Sequence, residues 1–147
     1  MISHRTLICF ILILVSISIL QTLPIANAVS PSAIQLTIPE LKSIRSIIQD
    51  KVSVGNQVFI STMLENMDAE KSQRFLAFIE VRDSSGISRQ ISWVSSVMAG
   101  GGFVEISTSW VPDRADTYVL RTFAVTGFEN PEVLSIVVER YVVIADN

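Results

Sequence analysis

Two hydrophobic patterns divide the chain. Between Leu7 and Leu20 almost every residue is apolar, interrupted only by Ser16 and Ser18. From Ser43 onward apolar and polar residues alternate with a period of two, the mark of strands that bury one face. Ile44, Ser46 and Ile48 share a face, and Val52 to Asn56 reads as a short strand running into a turn. Gln57 to Leu64 is the first long strand, with Val58, Ile60, Thr62 and Leu64 on one side. After a polar loop, Arg74 to Arg82 sets Phe75, Ala77, Ile79 and Val81 on one face, while Leu76 and Phe78 make the other face partly apolar. Asp83-Ser84-Ser85-Gly86 supplies a hairpin turn whose glycine takes the positive φ. Ile87 to Trp93 returns antiparallel. Ala99 to Gly102 is the next break, and Phe103 to Trp110 alternates again. Val111 to Asp116 crosses over to Thr117–Val125, which carries Tyr118, Leu120 and Ala124 on one face. Leu134 to Ala145 is a final strand rich in Val and Ile.

Seven or eight short strands, with turns about every ten residues, predict an antiparallel all-β sandwich or barrel over residues 43–147. No apolar pattern of helical period runs through that region. Residues 29–42, with Pro31 and Pro39, predict an extended leader with little structure of its own.

The N-terminal apolar run is an address. Arg5 precedes it, and Ala26-Asn27-Ala28 follows it with small residues at both positions a signal peptidase inspects. A positive start, an apolar stretch and an A-x-A site describe a secretory signal peptide, residues 1–28, cleaved after Ala28. The run is short for a bilayer, which needs about 20 residues. No apolar tail follows Ile144, so no membrane span is expected after cleavage, and the product is expected outside the cytoplasm, secreted or at the cell surface.

This assignment changes the chemistry available. The only histidine, His4, and the only cysteine, Cys9, leave with the signal. The mature chain then has no Ser-His or Cys-His catalysis, no disulfide, and no histidine or thiolate for a metal. Ten basic residues remain against fourteen acidic ones, scattered without a basic stripe, which argues against nucleic acid as a partner. No enzyme, cofactor or metal site is expected.

One segment carries a resemblance. Ser109-Trp110-Val111-Pro112-Asp113-Arg114-Ala115-Asp116-Thr117-Tyr118 looks like the E–F corner of immunoglobulin-like domains, with Tyr118 at the tyrosine-corner position and Asp116 where glycine is commoner. Val54-Gly55-Asn56-Gln57-Val58, Leu64-Glu65-Asn66, Glu80-Val81-Arg82-Asp83 with Gly86, Ile91-Ser92-Trp93, Asn130-Pro131 and Leu134-Ser135 follow in order. Over residues 43–145 the whole is similar to secreted Ig-like repeats of archaea, especially ammonia oxidisers, and to CARDB-like adhesion modules. The resemblance implies an Ig-like sandwich of seven or eight strands and an extracellular accessory role. It implies no particular ligand.

If the topology is Ig-like, three loops gather at one end. They bring Met67 and Asp68, then Met98, then Phe128 and Glu129, as candidate partner-binding residues. Trp110 and Tyr118 are expected to build the structural corner. Asp113 and Asp116 fall short of the six to eight oxygens calcium takes and read as turn caps. Gly100 to Gly102 lacks the lysine and helix of a phosphate cradle. The expected function is a non-catalytic binding, adhesion or envelope module with a protein or cell-surface partner. Self-association through the edge of the Val- and Ile-rich final strand is one expected mode. An inhibitor or accessory partner of a secreted enzyme is the alternative.

Overall fold

The computed structural model describes residues 33–146. The expected signal peptide, residues 1–28, lies outside them. Nine strands follow in order: β1 (Ile34–Leu36), β2 (Glu40–Lys42), β3 (Val52–Ser53), β4 (Val58–Asn66), β5 (Gln73–Arg82), β6 (Ser88–Met98), β7 (Phe103–Trp110), β8 (Asp116–Val125) and β9 (Val138–Ala145). They build two sheets, and no helix occurs among the described residues. In the first sheet β4 is central, with β7 along one side and β1 and β2 in succession along the other. The second sheet runs β3-β9-β8-β5-β6. Neighbours are antiparallel except β3, which lies parallel to the end of β9. The alternation predicts a sandwich or barrel of seven or eight strands, and the resemblance an Ig-like sandwich; the structure is an all-β sandwich of nine strands.

The alternation turns into a core because each long strand faces the opposite sheet with one side. Val58, Ile60 and Leu64 of β4 meet Phe75, Ala77, Ile79 and Val81 of β5 and Tyr118, Leu120 and Ala124 of β8 in one buried cluster. Burying a side chain of this size is worth roughly 1.5–3 kcal/mol. With no cysteine among the described residues, packing of this kind holds the sheets together.

Three segments depart from the expected reading. Residues 29–42 are not a bare leader. From Ile34 on they form β1 and β2, and Ile34, Leu36 and Leu41 enter the core. Pro39 separates the two strands, so one edge is read from sequence as two fragments too short to count. Ile44, Ser46 and Ile48 alternate, yet all three are exposed. Ser46 takes a positive φ of 60°, and its N–H donates to the Ser43 carbonyl, so the segment is a turn. The final strand starts at Val138 instead of Leu134. Leu134 donates to Ala124 O and accepts from Ile34 N–H, stitching the preceding loop to both sheets. Nor is β9 the end of its sheet: β3 lies beside Ile144 and Ala145.

The crossover from β7 to β8 joins the sheets. Trp110 ends β7, and its ring meets Tyr118 edge-on at 5.0 Å. Tyr118 is fully buried and donates its hydroxyl to Arg114 O at 3.1 Å. Burial pushes its pKa up, so it remains a donor. Beneath the crossover the buried Asp83 carboxylate receives Arg89 and Arg114, each at 2.7 Å.

The corner bond generates a prediction. Tyr118→Phe keeps the ring and loses the bond, and should cost about 1 kcal/mol of unfolding free energy. Urea titration followed by tryptophan fluorescence measures it. An unmoved midpoint would show that the hydroxyl contributes nothing.

Candidate interaction site

The loops after β4, β6 and β8 lie at one end of the sandwich. The first two are bound to each other. Asn66, buried at the end of β4, donates its amide to Lys71 O at 2.7 Å and to Ala99 O at 3.0 Å. Its side-chain oxygen accepts the N–H of Asp68, and Gly101 N–H donates to Asp68 O. Gly100 packs so tightly that an added Cβ would sit 2.5 Å from Ala69 O. Sequence reading singled out the tips of these loops and missed Asn66, the residue that fixes them. A polar residue at an inward position of an alternating strand was the available signal.

The five candidate loop residues end in different places. Met67 is exposed at a tip. Asp68 is exposed, but its carboxylate accepts the N–H groups of Glu70 and Lys71, which hold it below the usual carboxylate range. Met98 is not a loop tip. β6 extends through it, and the side chain is 5 % exposed, inside the core. Phe128 does not stand free. Its ring lies edge-on to Phe78 at 6.1 Å and to Trp93 at 5.8 Å, against the outer face of the second sheet. Glu129 lines a shallow cleft of about 470 Å³ with Phe128, Arg74, Leu76 and Ser95. Among the described residues no group of three or more His, Cys, Asp and Glu is placed to hold a metal ion.

The larger feature is that outer face itself. Register sets Trp93 of β6, Phe78 of β5 and Phe123 of β8 in one row. Phe78 and Phe123 stack at 4.9 Å, and Phe128 closes over the row from its loop. Beyond this row come Ile91, Glu80, Arg121 and Glu139, then Val119 beside Tyr141. Trp93 is 56 % exposed and Tyr141 69 %. Leu76 shares the face but is buried, under the start of the loop after β8. A shallow trough of about 300 Å³ runs between Phe78, Ile91, Phe123 and Val137.

The charged residues of this face satisfy one another. Arg121 bonds Glu80 and Glu139, each at 2.7 Å, and Arg82 bonds Glu80 at 2.8 Å. Ser88 also donates to Glu80. Burial works against the Glu80 carboxylate, but Ser88, Arg82 and Arg121 outweigh it and hold the pKa below its ordinary 4.5. Two guanidiniums and two carboxylates cancel across the middle of the face, and Arg74 and Glu129 lie at its end beside Phe128.

No family model matches the chain, and no curated protein matches it. Solved structures share its fold. The CARDB domain of the PF1109 protein from Pyrococcus furiosus, solved in complex with di-metal ions, superposes with a TM-score of 0.55 at 13 % identity, over 79 % of this chain and 97 % of that one. The C-terminal domain of wzt gives 0.60 at 8 % identity, over 79 % of this chain and 74 % of that one. The alkylpurine DNA glycosylase AlkC of Pseudomonas fluorescens gives 0.53 at 10 % identity over 78 % of this chain. The match spans only 31 % of AlkC, and 16 % of a β-glucosidase from Erythrobacter marinus. At these identities the likeness is one of fold: a β-sandwich domain.

Two predictions rest on this geometry. Gly100→Ala has no room beside Ala69 and should destabilise the fold by about 1–3 kcal/mol, read from thermal unfolding. Glu80 has a depressed folded pKa, so its share of stability is complete above the ordinary 4.5 and is lost as pH falls through the folded value. The denaturation midpoint should therefore drop as pH falls below 4.5, and drop less in Glu80→Gln. Equal drops in both proteins would remove Glu80 from the account.

Proposed function

We propose that this chain is a non-catalytic binding module working outside the cytoplasm, secreted or at the cell surface, and that the outer face of the five-stranded sheet holds a protein partner. One observation carries the reading: the aromatic row Trp93, Phe78 and Phe123, capped by Phe128, opens to solvent beside a charge-cancelled ladder. Contiguous exposed apolar surface of this kind is kept where something covers it.

The chemistry favours protein over sugar. Aromatic rings stack on sugars too, but hydroxyl recognition needs free polar groups beside them. Next to the aromatic row Glu80, Arg121 and Glu139 are engaged with one another, and Arg74, Ser95 and Glu129 stand only at the cleft beside Phe128. Ile91, Val137 and Val143 extend the face with aliphatic carbon, which suits another protein surface. The absence of catalysis follows similar logic. Glu80 and Asp83, the buried carboxylates among the described residues, are each held by two guanidiniums, which leaves neither of them to move a proton. The secreted address rests on the N-terminal sequence. The loop-wedge reading of an enzyme inhibitor is weaker, since the loops after β4 and β6 are spent on each other.

Retention of the purified protein on envelope fractions of its source organism tests this. Trp93→Ser with Tyr141→Ser removes two exposed rings from the face. Loss of at least about 2 kcal/mol of binding is expected, as for buried aromatic anchors. Met67→Ser with Asp68→Ser should bind like the parent. The opposite result would move the site to the loop end.

A further inference from the structure

The five-stranded sheet ends at β6, which is paired on one side only, by β5. From Gln90 to Met98 the strand reads Gln-Ile-Ser-Trp-Val-Ser-Ser-Val-Met, with no charge, proline or glycine. Its register with β5 is regular through this stretch; the one shift lies at Val81 and Arg82. Exposed edges are normally blunted by charges, prolines or bulges, because an open row of N–H and C=O groups pairs with any strand that fits. The other edges are blunted: β1 is only three residues long. β2 carries Glu40 and Lys42 and follows Pro39, β7 carries Glu105, and Asp50 and Lys51 precede β3.

β7 does not cover this edge. It meets the first part of β6, where Gln90 donates to Ser109 O at 2.9 Å and Thr108 to Ser92 at 2.9 Å. Among the described residues the hydrogen bonds between the two strands stop at Ser92. Trp93, Val94, Ser95, Ser96 and Val97 are all exposed, so this stretch has two open faces and an open edge.

We infer that β6 pairs antiparallel with β6 of a second copy, joining two five-stranded sheets into one. The sequence selects the register. Opposite residues in an antiparallel pair point to the same face, so the two-fold axis passes through a residue, not between residues. Placed at Ser95, it sets Trp93 opposite Val97 of the second copy, twice, on the outer face. Aromatic against β-branched is a favourable cross-strand pair. On the other face Val94 meets Ser96, and the small Ser95 meets itself at the centre. Placing the axis at Val94 sets Trp93 against Ser95 and drives the pairing back to Ile91, where β7 closes in. The inference stands on the strand edge and shares only Trp93 with the face proposed above.

Light scattering on the full-length chain, purified after export, from micromolar to millimolar concentration, tests it. The parent should reach twice the monomer mass. Ser95→Lys and Ser95→Glu each put like charges directly opposite at the axis, and each should halve the mass to that of a monomer. Mixed in equal amounts they should recover the dimer, which also shows that both variants fold. Val143→Lys, on the outer face of the far strand β9, should leave the dimer intact. A parent that stays monomeric at millimolar concentration overturns the inference. So does a dimeric Ser95→Lys, a mixture that fails to dimerise, or a Val143→Lys that dissociates, which would put the contact on the face.

Discussion

The sandwich depends on how Tyr118 is held. Its ring lies fully buried between the sheets against Trp110, and its hydroxyl reaches back to Arg114 O in the crossover. That one side chain fixes the direction in which β8 leaves the crossover, and so the angle at which the second sheet meets the first. An Ig-like domain with an inter-sheet disulfide has a covalent link for this purpose. Here no cysteine occurs among the described residues. The corner and the core packed behind it carry the whole task. Asp83 adds to it from below: Arg89 comes from β6 and Arg114 from the crossover, so the turn after β5 is tied to both.

How far the sequence showed this structure depends on burial. β4, β5, β7 and β8 were legible because each turns one face to the core, and that face is mostly apolar. Trp110 and Tyr118 were legible as a corner for the same reason. β6 was read as ending at Trp93, yet it runs on to Met98. Past Trp93 neither face is covered until Met98, so no burial imposes an alternation. Ile44, Ser46 and Ile48 fail in the reverse sense: they alternate without burying anything. A period of two is evidence of a strand only where one side of it is dry.

The candidate site was legible in pieces. Leu76 and Phe78 stood out as apolar residues on the wrong face of their strand. Their assembly with Trp93, Phe128 and Tyr141 was not visible, because it needs the register of four strands and the fold of a loop. The ladder from Arg82 to Glu139 was hidden for the same reason. Apart from Glu80 and Arg82 on β5, its members are far apart in sequence, and each reads as an ordinary surface charge until the strands are laid side by side.

That ladder explains how so apolar a face stays compatible with a folded monomer. Arg82, Glu80, Arg121 and Glu139 lie across the middle strands and divide the aromatic row from the Val119 and Tyr141 end. An uninterrupted apolar sheet would pack indiscriminately on any similar surface. A partner that covers this face must instead leave the ladder its bonds, because a buried charge stripped of its partners is costly. The face therefore rejects surfaces that bring unpaired charge to its centre and accepts those that are apolar at the flanks and neutral in the middle. Selectivity without net charge is what the arrangement supplies, and nothing in β6 supplies the same. Its edge discriminates only by register, through where Trp93, Ser95 and Val97 fall. The face and the edge meet at Trp93; away from it, at Tyr141 for the face and at Ser95 for the edge, each can be altered while the other is kept.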